Sequence, residues 1–239
     1  MIIRGRNVSS VRLALGGAAL AGLTGFALSI LPASATPDPP KAPTAMTSTV
    51  EAATAKAATA AKANPVDAVR LAFTQALIVD RQLGVPSSQE QLRLRAVPAG
   101  IDLQAAGRQS LPSVTDRQLR VARDRKNISE HFASAALLAR ENHELDSTMT
   151  ALAEPNIRSL GAGVSRVVFT SVTVSGNTAT VVAQVHEWTK AVARQQAGGR
   201  WLDLSPEADT VYNAKLSIGP AGTWLVTDMI GRFANGSGP

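Results

Sequence analysis

Three stretches of the chain carry side chains that could move a proton or grip a ligand. The first is "QVHEWTK", where His186, Glu187 and Trp188 close a run of alternating apolar residues. A histidine beside a carboxylate is raw material for general acid–base chemistry, provided the two groups converge on one point. The second is "DTVYNAKLSI" with the strand after it, which bring Tyr212, Lys215 and Asp228 into the same neighbourhood. The third is the charged stretch from Asp116 to His143, where His131 stands beside Phe132 and Arg117, Arg120, Arg123, Arg125 and Lys126 alternate with Asp116 and Asp124.

Spacing decides which of these groups meet. Gly176-Asn177 is a two-residue hairpin signal between valine-rich segments. Ser175 then faces Thr178, and the pairs run Val174–Ala179, Val172–Val181, Thr170–Ala183, Val168–Val185 and Arg166–Glu187. This register puts Glu187 on the apolar face at its open end, opposite Arg166, and puts His186 and Trp188 on the reverse face. Successive strand side chains point to opposite faces, so His186 and Glu187 are not a base and its orienter. The expected role of Glu187 is a cross-strand ion pair with Arg166 at the rim of the sheet. The alternative is a polar group at a pocket mouth.

The second hairpin reads the same way. A four-residue loop over 219–222 gathers Tyr212, Ala214, Leu216 and Ile218 with Met229, Thr227, Leu225 and Thr223. Asn213 then lies opposite Asp228, and Lys215 opposite Val226, on the other face. Tyr212 is expected as a core aromatic with its hydroxyl at the edge. His131 is expected as a satisfied surface histidine, with a cavity-facing position as the alternative, and the basic run around it as a solvated helix face. The candidate pocket or rim residues are therefore Glu187, Arg166, Tyr212 and His131, with no catalytic set among them.

Several chemistries are excluded. The chain has no cysteine, hence no thiol nucleophile, disulfide or thiolate metal site. "HELDS" and "HEWTK" lack the second histidine of a zinc-binding helix, so no metal is expected. No Gly-x-Ser-x-Gly elbow, phosphate loop or dinucleotide fingerprint occurs, and no cofactor is expected.

The segments that must position these residues follow from composition and periodicity. Arg4, Arg6 and Arg12 precede the uncharged apolar run Leu13–Leu31, Pro32 and Ala33-Ser34-Ala35, the pattern of a signal peptide cleaved after Ala35. An uncleaved anchor is the rival reading of that run. Losing those three arginines reduces the 24 Lys and Arg to 21 against 18 Asp and Glu, a net charge of only +3. That balance gives no reason to expect a nucleic-acid partner. Residues 36–64 form a Pro/Ala/Thr-rich flexible tail, and residues 234–239 a disordered C-terminus.

Between them, residues 65–233 are expected as a single α+β domain. Asn64-Pro65 opens a helix that buries Val66, Val69, Phe73 and Leu77 and stops at Gly84. A loop over 86–114 is expected to hold a short helix around Gln89–Arg95. The segment from Asp116 to about His143 is helical, with Val121, Ile128, Phe132, Ala135 and Ala139 on its apolar side. Its basic front and acidic rear oppose the helix dipole, which points to a break near Asn127. From Gly161 onward the period is two, giving antiparallel strands at 164–174, 178–190, 209–218 and 223–233. Helices first and then about four strands predict helices packed on a curved, cone-like antiparallel sheet.

"VFTSVTVSGNTATVVAQVHEWT" and "YNAKLSIGPAGTWLVTDM" together resemble secreted members of the ketosteroid-isomerase-like (SnoaL-like) cone superfamily. The likeness is nearest to Mce-associated proteins and to the module that precedes some amidase domains, and it covers roughly residues 65–233. The resemblance implies an exported, non-catalytic binding or accessory module of the bacterial cell envelope, taking a protein, an envelope polymer or an apolar ligand. Its alternative implication is a small cone enzyme of isomerase, cyclase or dehydratase type, using Glu187, Tyr212 or His131. No residue-by-residue match to the catalytic sets of such enzymes is present.

Overall fold

The computed structural model describes residues 64–86, 92–194 and 197–234. The leader, the tail up to residue 63 and the last five residues of the expected C-terminal extension lie outside them. Helix α1 (Pro65–Arg81) begins as its sequence dictates. The Asn64 side chain accepts the Val66 amide at 3.1 Å, and Pro65 occupies the first turn, where no donor is needed. Its apolar stripe packs Val69, Phe73 and Leu77 into the core, with no exposure at any of the three.

The turn after α1 is held by charges on a distant helix. α2 (Leu103–Gly107) comes first in the chain, followed by α3 (Val114–His131). From α3, Asp124 accepts the Gly84 amide at 2.7 Å, Arg120 donates to the Gly84 carbonyl at 2.8 Å, and Arg123 donates to the Val85 carbonyl at 2.9 Å. The basic run is thus not a solvated face throughout. Arg120 and Asp124 are buried, because the otherwise orphaned backbone groups of the 84–85 turn need partners.

Two expectations about helices are corrected. Leu92–Arg95 is not helical; the short helix lies at Leu103–Gly107, where Asp102 caps two amides at 3.0 Å each. Residues 89–91 lie outside the described residues. The charged stretch does break, but at Phe132–Ser134 rather than Asn127. Phe132 turns extended and its side chain is buried, Ala133 donates to the Val226 carbonyl at 3.0 Å, and Ser134 caps α4 (Ala135–Leu152). The break resets the helical phase, which leaves Ala135 and Ala139 exposed and turns Leu137, Leu145 and Met149 inward.

The sheet is open, antiparallel and five-stranded. β1 (Ile157–Ser175), β2 (Thr178–Ala193), β4 (Glu207–Ile218) and β5 (Trp224–Phe233) lie in that order, and the two-residue β3 (Leu202–Asp203) pairs with the far end of β2. Gly176 takes φ +56°, the left-handed conformation its hairpin turn requires. The predicted pairing holds from Ser175–Thr178 to Ser171–Val182 and then slips. β1 carries one extra residue between Phe169 and Ser171 and another between Val164 and Arg166, so Arg166 faces His186 and Val164 faces Glu187.

In the second hairpin Tyr212 pairs with Gly231 and Ala214 with Met229, after a shift beside Lys215. Lys215 stands directly opposite Asp228, the lysine exposed and the aspartate half-buried.

One face of the sheet receives α1, α3 and α4, and the space between is filled by Phe73, Leu77, Ile128, Leu145, Val181 and Leu216 among others. Burying each such side chain is worth about 1.5–3 kcal/mol. On the reverse face Trp188 lies over Gly163, where a Cβ would come within 2.9 Å of the indole, and its Nε1 donates to the Arg95 carbonyl at 3.0 Å. Ala106, Val192 and Trp201 form a second small apolar cluster. Among the described residues no helix is long and apolar enough to cross a membrane.

Candidate functional site

Glu187 sits on the helix-facing side of β2, in line with Val181, Ala183 and Val185, and is 4% exposed. A carboxylate at that depth is costly unless its oxygens are occupied, and here they are. Tyr212 Oη donates to Oε1 at 2.5 Å, Thr210 Oγ1 donates to Oε2 at 3.3 Å, and Arg81 Nη2 forms an ion pair with Oε2. The same Arg81 nitrogen donates to Tyr212 Oη at 3.1 Å, and Asp80 Oδ2 lies 3.7 Å from Arg81 Nε. Phe73 packs edge-on to Tyr212, with ring centroids 6.4 Å apart.

Local sequence explains each placement. Arg81 is the last residue of α1, so its long side chain leaves the apolar stripe at the point where the helix crosses the end of the core. Thr210 and Tyr212 share a face of β4 because they are two residues apart. The neighbouring pair Ala183–Tyr212 brings that face beside β2.

The electrostatics favour a closed cluster. Burial pushes the Tyr212 hydroxyl far above the usual phenol range; Arg81 opposes that shift and Glu187 reinforces it. Burial alone would weaken the Arg81 proton, but Glu187, then Tyr212 and Asp80, hold the guanidinium net above its ordinary value. Tyr212 is therefore a neutral donor and Arg81 a fixed cation. Neither is poised to exchange a proton near neutrality.

Of the four residues singled out from sequence, the structure brings together Glu187 and Tyr212 only. Arg166 does not pair with Glu187, because the bulges in β1 carry it past; it lies 61% exposed, 3.4 Å from Asp209. His186 joins that surface group with Nδ1 3.1 Å from Asp209. His131 ends α3, its Nδ1 2.9 Å from the Asn127 carbonyl oxygen, away from Glu187. Spacing along the chain does not point to Arg81 or Thr210. The signal for Arg81 was its place in the last turn of an apolar helix, a position equally explained by the helix dipole.

Arg81 also borders a partly open pocket of about 140 Å³ between α4 and the far ends of β1 and β2. The acidic stretch of α4 supplies Glu144, 8% exposed, to its wall. Among the described residues Glu144 has no hydrogen-bond or ionic partner.

No protein-family model matches the chain, and no curated protein does. Among solved structures, the intermembrane space region of the chloroplast protein ARC6 is similar at a TM-score of 0.35 and 14% identity, over 56% of this chain and 97% of that one. A periplasmic fragment of TraM is similar at a TM-score of 0.37 and 13% identity, over 70% of this chain and 97% of that one. Likenesses this distant carry no functional argument.

Proposed function

We propose that the protein is an exported, non-catalytic binding or accessory module of the bacterial cell envelope. The observation that carries this reading is that the polar groups of the Glu187 cluster pair with one another, while the pocket that Arg81 and Glu187 line measures only about 20 Å³. Both carboxylate oxygens are occupied by protein donors, and the helix-facing side of the sheet around it is packed with apolar side chains. An acid–base enzyme needs convergent polar groups that face a substrate. Here they face one another. The leader pattern at Arg4–Ala35 supports export, and the sequence likeness to Mce-associated proteins supports an envelope role on a cone-like scaffold. A protein, an envelope polymer or an apolar ligand fits such a module.

The test has two arms. Mass spectrometry of protein exported from a producing cell is expected to find an N-terminus at Thr36; retention of the intact chain in the cytoplasm would overturn the localisation. The double variant Arg81→Met/Glu187→Gln removes both charges while keeping the volume filled. It is expected to fold and to restore whatever phenotype deletion of the protein produces. A well-folded double variant that fails to do so would move the cone-enzyme reading to first place.

A further inference from the structure

Past Glu187, the helix-facing side of the sheet changes character. The inward residues become small, with Ser159 and Ala162 on β1 and Thr189 and Ala191 on β2, so the apolar filling stops and a pocket opens beneath α4. Along α4, Glu144, Ser147, Thr148 and Ala151 stand at i, i+3, i+4 and i+7, one stripe turned to that space.

Among the described residues two charged side chains border the pocket, and their situations differ. Arg81 is neutralised by Glu187 and has Asp80 nearby. Glu144 has neither donor nor cation within reach among the described residues, although it is nine-tenths buried. The pocket therefore presents one uncompensated negative charge in a wall of methyl groups and hydroxyls. A ligand bringing a positive donor would supply the partner that this carboxylate, on the wall of a partly open pocket, lacks among the described residues. An anion would meet the Glu144 carboxylate, while the Arg81 charge is already paired with Glu187, although its buried Nε has no hydrogen-bond partner. A metal ion would find a single carboxylate, since no group of three ligating residues exists among the described residues.

Size narrows the ligand further. A cavity of about 150 Å³ accommodates benzene, and this one is about 140 Å³. We propose that the pocket binds a compact organic cation: a primary ammonium group on an apolar body of about six to eight non-hydrogen atoms. The ammonium pairs with Glu144, and the body lies against the small residues of β1 and β2. The proposal rests on the binding-module reading only in treating the pocket as a receptor and not as a reaction site.

Benzylammonium is the probe, titrated into the mature chain by calorimetry and by amide chemical-shift mapping, with benzyl alcohol and benzoate as ring-matched controls. Benzylammonium is expected to bind one to one, benzyl alcohol at least tenfold more weakly, and benzoate not measurably. Glu144→Gln is expected to weaken benzylammonium at least tenfold while leaving benzyl alcohol unchanged. Ala151→Leu, which fills the pocket, is expected to abolish both. Absence of benzylammonium binding, or equal binding by wild type and Glu144→Gln, overturns the proposal. Should Glu144→Gln not fold, binding that persists in folded Ala151→Leu overturns it as well. None of these outcomes bears on the Arg81→Met/Glu187→Gln result, so the ligand class and the binding-module reading fail separately.

Discussion

Glu187, which pairs with Arg81, and Glu144, which shares a pocket wall with it, are two largely buried glutamates, at 4% and 8% exposure. One receives a tyrosine, a threonine and a guanidinium; the other receives nothing. Burial alone would rank them as equals. Their difference lies in whether the surrounding elements were long enough to deliver donors. α1 ends with an arginine at the Glu187 level, and β4 presents two hydroxyls there. Beyond that level β2 is flanked by the short β3 in place of β4, and the sheet offers only small side chains. A satisfied charge of this kind fixes packing, whereas an unsatisfied one at a pocket wall is available to a ligand.

The largest expected effect breaks the satisfied side. Glu187→Gln strands Arg81 and removes the strongest acceptor of Tyr212, so it should cost about 3–5 kcal/mol in urea or guanidinium unfolding. A cost below about 1 kcal/mol would show that the pair is screened as surface pairs are. Arg81→Met and Glu187→Gln should then be strongly non-additive, with the double variant more stable than the sum of the singles predicts.

The next effect follows from pH. The folded protein holds the Tyr212 proton more tightly than the unfolded chain does, because the hydroxyl is raised above its ordinary value. That contribution is complete below about pH 10, the ordinary phenol value. It is lost as pH climbs above that point, at about 1.4 kcal/mol per unit. Tyr212 is the only tyrosine in the chain, so tyrosinate absorbance reports it alone. The signal should stay silent in the native protein and appear only together with alkaline unfolding. A smooth titration near pH 10 that precedes any loss of structure would show the hydroxyl to be open to solvent.

Much of this contrast was legible in the chain, and the missing parts have definite causes. Alternation along "TVVAQVHE" correctly put Glu187 on the apolar face and His186 on the other, because parity along one strand needs no partner. The partner across the ladder was misread. Each extra residue in β1 moves the register by one, and nothing in "GVSRVVFTS" announces a bulge. Spacing alone therefore pairs Arg166 with Glu187, whereas the cation that Glu187 meets, Arg81, lies 106 positions away in sequence. The helix break was sought in the charge pattern, whereas Ser134 and the burial of Phe132 set it. Glu144 was absorbed into an acidic stretch because the stripe it shares with Ser147 and Ala151 becomes visible only once α4 has its own phase.

Glu144→Gln sharpens the other side of the comparison. With no partner to lose and a partly open pocket beside it, the substitution should change stability by less than about 1 kcal/mol. A loss of more than about 1 kcal/mol would mean that the carboxylate has a structural partner after all. The two acids would then no longer differ in kind.

The smallest effect belongs to the pair that sequence spacing originally assigned to Glu187. Arg166 is 61% exposed and lies 3.4 Å from Asp209, itself shared with His186. Water already solvates both groups, and holding two long side chains in one geometry costs entropy that offsets most of the attraction. Arg166→Gln should therefore cost about 0–1 kcal/mol, and added salt should erase what remains, because a charge pair at the surface is screened over a Debye length of about 8 Å at physiological ionic strength. Melts of wild type and Arg166→Gln at low and high salt test this directly. A salt-insensitive loss comparable to that of Glu187→Gln would place Arg166 in the buried network, and the bulged register that separates it from Glu187 would be wrong.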